Sequence, residues 1–591
     1  ARMAFVHESL RLHITSDKFF IEPSDSSGSE LLTIDRVTQE ISLQANQGQI
    51  PESISKPICG IFGIIRLIAG PYLIVITKKQ KVGEINGHTI WKVLETEIHS
   101  YKRTMLHLTE QQARDNIIYL SMVNSVLKTE SYYFSTTYDL THTLQRLYNT
   151  SPDFLSMPLH ERADQRFLWN GHILRELAQQ PELGKYCLPI VHGFIAIKSC
   201  IIHDRSFNYV LISRRSIYRA GTRFYLRGID PEGQVANFVE SEQVVEYEGY
   251  MCSFVQTRGS IPLFWSQRPN LKYKPKPQIH SVNHITALQT HLDNQLLNYG
   301  KQVIVNLVNG TGSEGELEKT FQESVAGIQR KDVRYEFFDF HHECRNMRWD
   351  RLSVLVDRLE NDRKQLGYFQ VYRGSSVVSD QKGVFRTNCI DCLDRTNVVQ
   401  SLLAKVILEE QLMRLGVLEG NEKLLDFKQF NYIFNNLWAD NADVISIQYA
   451  GTGALKTDFT RIGKRTKWGL LMDGWNSLVR YFKNNFSDGF RQDAIDLFLG
   501  NHIVEETEGT IKPSPLQGDR DWKFYAIPVI FIIALAMFLI SILLPDEHFS
   551  EQVMYVLFWG MASLATLGFI YLYGTEFVDN PKLVHTKVKA D

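Results

Sequence analysis

Net charge is what this chain has least of. Its 64 lysines and arginines are matched by 66 aspartates and glutamates, leaving −2 at pH 7. No global field draws it to an anionic surface, so any such attraction must be local, and a nucleic-acid-binding role is disfavoured. Cysteine is also sparse. Seven are scattered through 591 residues, an odd number that fits a reducing cytosol and excludes a disulfide framework. There is no fixed-period repeat and no low-complexity tract. Phe5 to Ile14 mixes charged with apolar residues, so no secretory signal peptide is expected there. Hydrophobic residues make up 44% and charged residues 22%, which suits several ordinary globular domains.

Charge is missing altogether from two stretches near the C-terminus. Phe524–Leu544 and Val553–Tyr573 are each 21 residues without a charged side chain. As helices, each would cross a hydrocarbon core of ~30 Å. A buried helical hairpin in a soluble domain is the competing reading, and two adjacent full-length uncharged spans argue against it. The joining loop, 545–552, is acidic. Arg520 and Lys523 precede the first span, and Lys582, Lys587 and Lys589 follow the second. The positive-inside rule then places both ends in the cytosol and the loop in the lumen. Lys587 and Lys589 resemble a K-x-K-x-x signal read by retrieval coat proteins of the endoplasmic reticulum. Ile58–Thr77 is nearly as apolar, but Arg66 and the Gly70-Pro71 break predict two buried strands around a turn.

The densest chemistry lies in Arg386-Thr387-Asn388-Cys389-Ile390-Asp391-Cys392-Leu393-Asp394-Arg395-Thr396-Asn397. Cys389 and Arg395 stand in C-x5-R spacing. A loop this short can turn its backbone N–H groups inward around one anion. Gly383-Val384-Phe385 reads as a strand entering it, and the apolar spacing from Val398 to Leu415 as a helix leaving it, with Gly416 as its stop. The positive end of that helix would stabilise both a phosphate and a thiolate. Arg395 can grip two phosphate oxygens at once. The inferred reaction has two steps: Cys389 attacks phosphorus, then water hydrolyses the phosphocysteine. Thr396 would support the departing sulfur. An alkoxide leaving group needs a general acid; Asp391 and Asp394 are the candidates, with Asp391 preferred for its position. Asn388, Ile390, Cys392 and Leu393 complete the substrate-binding loop.

Alternatives stay open on the residues alone. Cys389 and Cys392 also form C-x2-C, as a redox pair or half a zinc site would. No second C-x2-C occurs, and His341-His342-Glu343-Cys344 is the nearest metal-like cluster. No cofactor or metal is expected. A membrane-bound protein tyrosine phosphatase and a membrane scaffold at organelle contacts that binds phosphate without turnover are the competing functions.

The run R-T-N-C-I-D-C-L-D-R-T-N resembles the catalytic motif of the Sac-domain phosphoinositide phosphatases, without departure. Arg162–Phe167, Ser213–Ser216, Arg219–Arg223, Asn237–Glu240, Gln256–Ser260, Trp438–Asn441 and Gln448–Thr452 are similar to further blocks of that family. With the apolar tail, the resemblance is to its integral-membrane members. It implies a phosphatase for phosphatidylinositol 4-phosphate, with the 3-phosphate as second candidate, in endoplasmic reticulum and Golgi membranes. It also implies contact-site proteins as candidate partners.

The expected fold class is α/β. A β-rich N-terminal domain (1–180) packs on an α/β catalytic domain (181–504) that carries the phosphate loop beyond a strand's carboxyl end. A Pro- and Gly-containing stretch, 505–523, reads as a flexible linker. The first span (524–544), lumenal loop (545–552), second span (553–573) and cytosolic tail (574–591) follow. Lys456, Arg461, Lys464, Arg465 and Lys467 form one basic cluster that could read an anionic lipid surface, and Lys272, Lys274 and Lys276 a second. Trp438 in Trp438-Ala439-Asp440 is expected in the core rather than as part of a mobile acid loop, and His341 and His342 are expected to be structural.

Overall fold

The computed structural model describes residues 4–25, 29–391, 393–518, 520–544 and 547–584. The N-terminal part opens with a five-stranded antiparallel sheet. Its order is Ile41–Ala45, Glu30–Asp35, Lys18–Pro23, Leu10–Ile14, Ile54–Ile58. Alternation in these strands sends Leu12, Phe19, Ile21, Leu32 and Ile34 into one buried cluster. Ile58–Thr77 forms the predicted pair: Gly60–Leu67 runs antiparallel to Gly70–Ile85.

A 13-stranded sheet holds the rest together. From one edge eleven of its strands run in the order Val333–Phe337, Lys301–Asn306, Gly383–Asn388, Tyr250–Arg258, Val239–Tyr247, Arg205–Arg215, Val191–Ile202, Tyr132–Phe134, His88–Ser100, Gly70–Ile85 and Gly60–Leu67; Phe369–Tyr372 branches off by pairing with Tyr250–Arg258, and Ser376–Ser379 pairs with it. The sheet does not stop at residue 180. Val191 and His192 pair with Tyr133 and Tyr132 across the expected boundary. The two regions therefore share one hydrogen-bonded surface.

Parallel pairing is confined to the end that carries the motif. Gly383–Asn388 lies between Lys301–Asn306 and Tyr250–Arg258 and is parallel to both. All six of its residues are buried, as a central strand covered on both faces requires. Gly383 starts it because nothing larger fits: a Cβ there would lie 2.2 Å from the Lys301 carbonyl oxygen. The helix Asp394–Arg414 follows and buries Val398, Val399, Leu403, Ile407 and Leu412 against the sheet. Gly416, at φ 78°, ends it. Trp438, on the helix Lys428–Ala450, is buried and donates from Nε1 to Tyr209 Oη at 2.9 Å, so its role is core packing.

The stretch expected to be a flexible linker is docked. The Gln112 side chain, on the helix Glu110–Leu127, donates to the carbonyls of Glu506 (3.0 Å) and Glu508 (3.1 Å). Tyr119 Oη donates to the buried Glu508 carboxylate at 2.6 Å. Leu516 joins the core beside that helix. Proline, glycine and polar residues suit a loop laid on a surface as well as a free tether, so composition could not separate the two.

Two helices, Lys523–Leu543 and Phe549–Leu572, are long and apolar enough to cross a membrane and are hardly buried by the rest of the protein. The second begins four residues before the expected span, because Phe549 to Gln552 join the helix; Gln552 donates to the Ser541 carbonyl at 3.1 Å. After it the chain returns to the body. The Asp493 carboxylate accepts from the Lys582 (2.9 Å) and Leu583 (3.0 Å) amides. Asp579 accepts from the Phe490 amide at 2.8 Å, and Tyr225 Oη donates to the Asp579 carbonyl. Lys587 and Lys589 lie outside the described residues.

Candidate active site

The motif sits where three parallel strands end and one helix begins. The strand ends at Asn388 and the helix starts at Asp394, so 389–393 is the turn between them. Asn388 is anchored by donating from Nδ2 to Asn306 Oδ1 (2.7 Å) on the neighbouring strand. Cys389 is buried, and the Thr396 hydroxyl donates to its Sγ at 3.5 Å. Cys389, Asn388 and Thr396 are thus brought together. Cys392 lies outside the described residues. Leu393 is buried against Val239, Ile445 and Tyr449; it pins the helix start by packing.

The two loop aspartates are neutralised from outside the loop. Arg223 donates to both Asp391 oxygens, from Nε to Oδ1 at 3.1 Å and from Nη2 to Oδ2 at 2.8 Å. Arg227 adds Nη2 to Oδ1 at 2.5 Å and also donates to the Ile390 carbonyl at 3.0 Å. Burial alone would raise the pKa of Asp391; these two guanidinium groups outweigh it and hold the carboxyl well below the ordinary 3.8. In this arrangement Asp391 is a carboxylate with no proton to give. Its preferred reading as general acid therefore requires that these arginines first release it. Asp394 accepts from the Leu455 amide at 2.6 Å and pairs with Arg480 at 3.1 Å. Burial raises its pKa too, and Arg480 with Lys456 bring the net shift downward. Neither aspartate is a resting proton store.

Arg395 also departs from expectation. Its Nη1 donates to the Leu307 carbonyl (3.0 Å) and to Asn309 Oδ1 (3.3 Å), and both terminal nitrogens reach the Glu314 carboxylate, at 3.2 and 3.3 Å. Burial would lower its pKa, but Cys389 and Glu314 raise it further, so the guanidinium stays charged. Glu314 belongs to the helix Gly312–Ile328 and also accepts from the Asn309 amide at 2.7 Å. A phosphate bound by Arg395 must compete with this carboxylate.

The basic cluster is largely spent within the protein. Arg461 pairs with Asp440 (2.9 Å) and Asp443 (3.1 Å). Arg465 is nearly buried, between Asp458 and Asp473. These two therefore offer a lipid surface less free charge than the sequence suggests. Lys464 remains exposed. Lys456 directs its amide to Asp473 at 3.2 Å and acts electrostatically on Asp394.

Arg227, Glu314 and Arg480 escaped the reading of the sequence, and Arg223 entered it only within the Arg219–Arg223 block. One signal pointed their way. Two aspartates among the five residues between Cys389 and Arg395 need cationic partners, and Arg395 alone cannot serve both of them and a phosphate.

The family model described as "SacI homology domain" matches residues 59–345. Over 590 residues the chain is 55% identical to "Phosphatidylinositol-3-phosphatase SAC1-B" of Danio rerio, covering 100% of both chains. It is 45% identical to "Phosphatidylinositol-3-phosphatase SAC1" of Drosophila melanogaster, covering 98% of this chain and 97% of that one. It is 35% identical to the protein of the same name in Saccharomyces cerevisiae, covering 96% and 92%. Strand, cysteine turn and helix define a candidate phosphate-ester site. The chain belongs to the Sac-domain phosphoinositide phosphatases.

Proposed function

We propose that this enzyme removes the 4-phosphate of phosphatidylinositol 4-phosphate, with the 3-phosphate as a second substrate, through a phosphocysteine on Cys389. The observation that carries the mechanism is the Thr396 hydroxyl 3.5 Å from Cys389 Sγ at the start of a buried helix. The thiolate attacks phosphorus as the bond to the inositol oxygen breaks, and that oxygen takes a proton. Water then attacks the phosphocysteine, the P–S bond breaks, and the leaving sulfur is met by the Thr396 hydroxyl. Asp391 can supply that proton only after Arg223 and Arg227 let go of it and it has taken one up from water. A phosphate dianion entering the loop is the natural competitor for them, as it is for Arg395 against Glu314.

The relatives' names specify a 3-phosphatase, whereas the motif and the membrane tail resemble the 4-phosphatase members. Phosphate release from liposomes holding one lipid or the other decides between them. Comparable 4-phosphate hydrolysis that Cys389→Ser abolishes supports the proposal; hydrolysis of the 3-phosphate alone overturns the positional part. The two apolar helices support integral-membrane association. We place the catalytic part and both ends in the cytosol, in endoplasmic reticulum and Golgi membranes, with Lys587 and Lys589 as the retrieval signal for coat proteins.

A further inference from the structure

The helix Lys467–Phe486 is built inside out. The side turned to the protein buries Gly469, Arg480, Asn484 and Asn485. The other side exposes Trp468 (69%), Leu471 (63%), Trp475 (60%), Leu478, Phe482 and Phe486. These six recur every three or four residues, so they form one stripe along the helix. A solvated surface helix carries the opposite arrangement. An exposed apolar stripe of this length marks a surface that meets another apolar phase.

The fold says which phase. The C-terminal end of this helix is fastened to the place where the second apolar helix meets the body. The Asp579 amide, just beyond that span, donates to the Asn485 carbonyl at 2.8 Å. Tyr481 Oη donates to the Leu271 carbonyl at 2.7 Å, and the Leu271 amide donates to Asn485 Oδ1 at 3.1 Å. The next residue, Lys272, holds its ammonium 5.2 Å from the centre of the Tyr571 ring, at the end of the span. The residues before the first span are docked on the body as well, through Glu508 and Leu516. Little free chain remains to lift the body away. Tryptophans in the stripe and exposed lysines beside it, Lys464, Lys467 and Lys274, are the side chains suited to a bilayer interface.

We infer that Lys467–Phe486 is an interfacial helix that seats the catalytic body on the bilayer holding its own transmembrane hairpin, so that the phosphate loop works on lipid of that leaflet. This deepens the proposed function and rests on it for the substrate. The same helix reaches the loop from its inner side. Arg480 binds Asp394, and the Asp473 carboxylate accepts from the Lys456 amide. The element that touches lipid therefore also touches the first residue of the helix after Cys389.

The test uses the full chain reconstituted in liposomes. Wild type and Trp468→Phe/Trp475→Phe are compared in bilayers with and without acyl-chain-brominated phosphatidylcholine, so that the difference emission belongs to those two of the nine tryptophans. Strong quenching of that difference supports the inference. Unquenched emission overturns it, as does a cross-linked pair of chains through Trp475→Cys, which would assign the stripe to a second copy. The second arm is Trp475→Glu/Leu478→Glu. Hydrolysis of bilayer phosphatidylinositol 4-phosphate should fall about tenfold, while a water-soluble short-chain analogue is turned over within about twofold of wild type. An equal fall on both substrates overturns the inference, since the stripe would then be structural. If wild type hydrolyses neither substrate, the proposed function fails, and the quenching result alone decides the docking.

Discussion

The two signs of charge around the cysteine turn are handled in opposite directions. Its acids, Asp391 and Asp394, are held by arginines from distant segments: Arg223, Arg227 and Arg480. Its base, Arg395, is held by a distant acid, Glu314. The turn is thus braced from outside on both sides. The acid side is the more rigid of the two. Arg223 and Arg227 together grip Asp391 through three charge-assisted bonds, two of them 2.8 Å or shorter, whereas the contacts of Arg395 with Glu314 are 3.2 Å or longer. The arginine is the part better placed to change partner when phosphate arrives.

Substitutions can break this contrast. Cys389→Ser should lower turnover by about 10⁴-fold or more, measured as phosphate release, because it removes the proposed nucleophile. A phosphorylated protein still recovered from that variant by acid quench would refute the assignment. Arg395→Ala should cost about 10²–10³-fold in kcat/KM; an effect below tenfold would mean Arg395 never leaves Glu314. Arg227→Ala removes one partner of a buried pair and should destabilise the fold by about 3 kcal/mol in denaturant titrations. Loss of activity with unchanged stability would instead give Arg227 a direct part in binding phosphate. Glu314→Gln loosens the hold on Arg395 and should lower the apparent KM about threefold with little change in kcat. A raised KM would show that Glu314 orients the guanidinium rather than competing for it.

The smallest effect concerns the acids under the returning tail. Asp488 and Asp493 are each pushed up to about 6, chiefly by burial. Their unfolded value is near 3.8, so the folded state binds more protons between those limits. The stability they contribute is complete below about pH 4 and is lost as pH rises towards 6. The Tm of Asp488→Asn relative to wild type should therefore rise by a few degrees, roughly 2–4 °C, between pH 4 and 6 and then level off. A constant difference across that range would discard the assignment.

The sequence revealed what is local. Asn388, Cys389 and Thr396 lie within twelve residues, with the strand and helix flanks written on either side. Ile58–Thr77, the two apolar helices and the core position of Trp438 were legible for the same reason: one window of pattern specifies each. The partners of the loop charges were not. Arg223 is 168 positions from Asp391, and Glu314 is 81 from Arg395; no periodicity links such residues. The same limit hid the docked state of 505–518, which depends on Gln112 and Tyr119.

Continuity of the large sheet carries a practical consequence. A cut near residue 180 separates Tyr132–Phe134 from Val191–Ile202, leaving each fragment an open strand border with unsatisfied amides and carbonyls. Fragments expressed on that boundary should self-associate or precipitate, and a phosphatase preparation trimmed there would report on aggregates. The smallest useful fragment therefore keeps the opening strands, even though, among the described residues, none of them supplies a group to the cysteine turn.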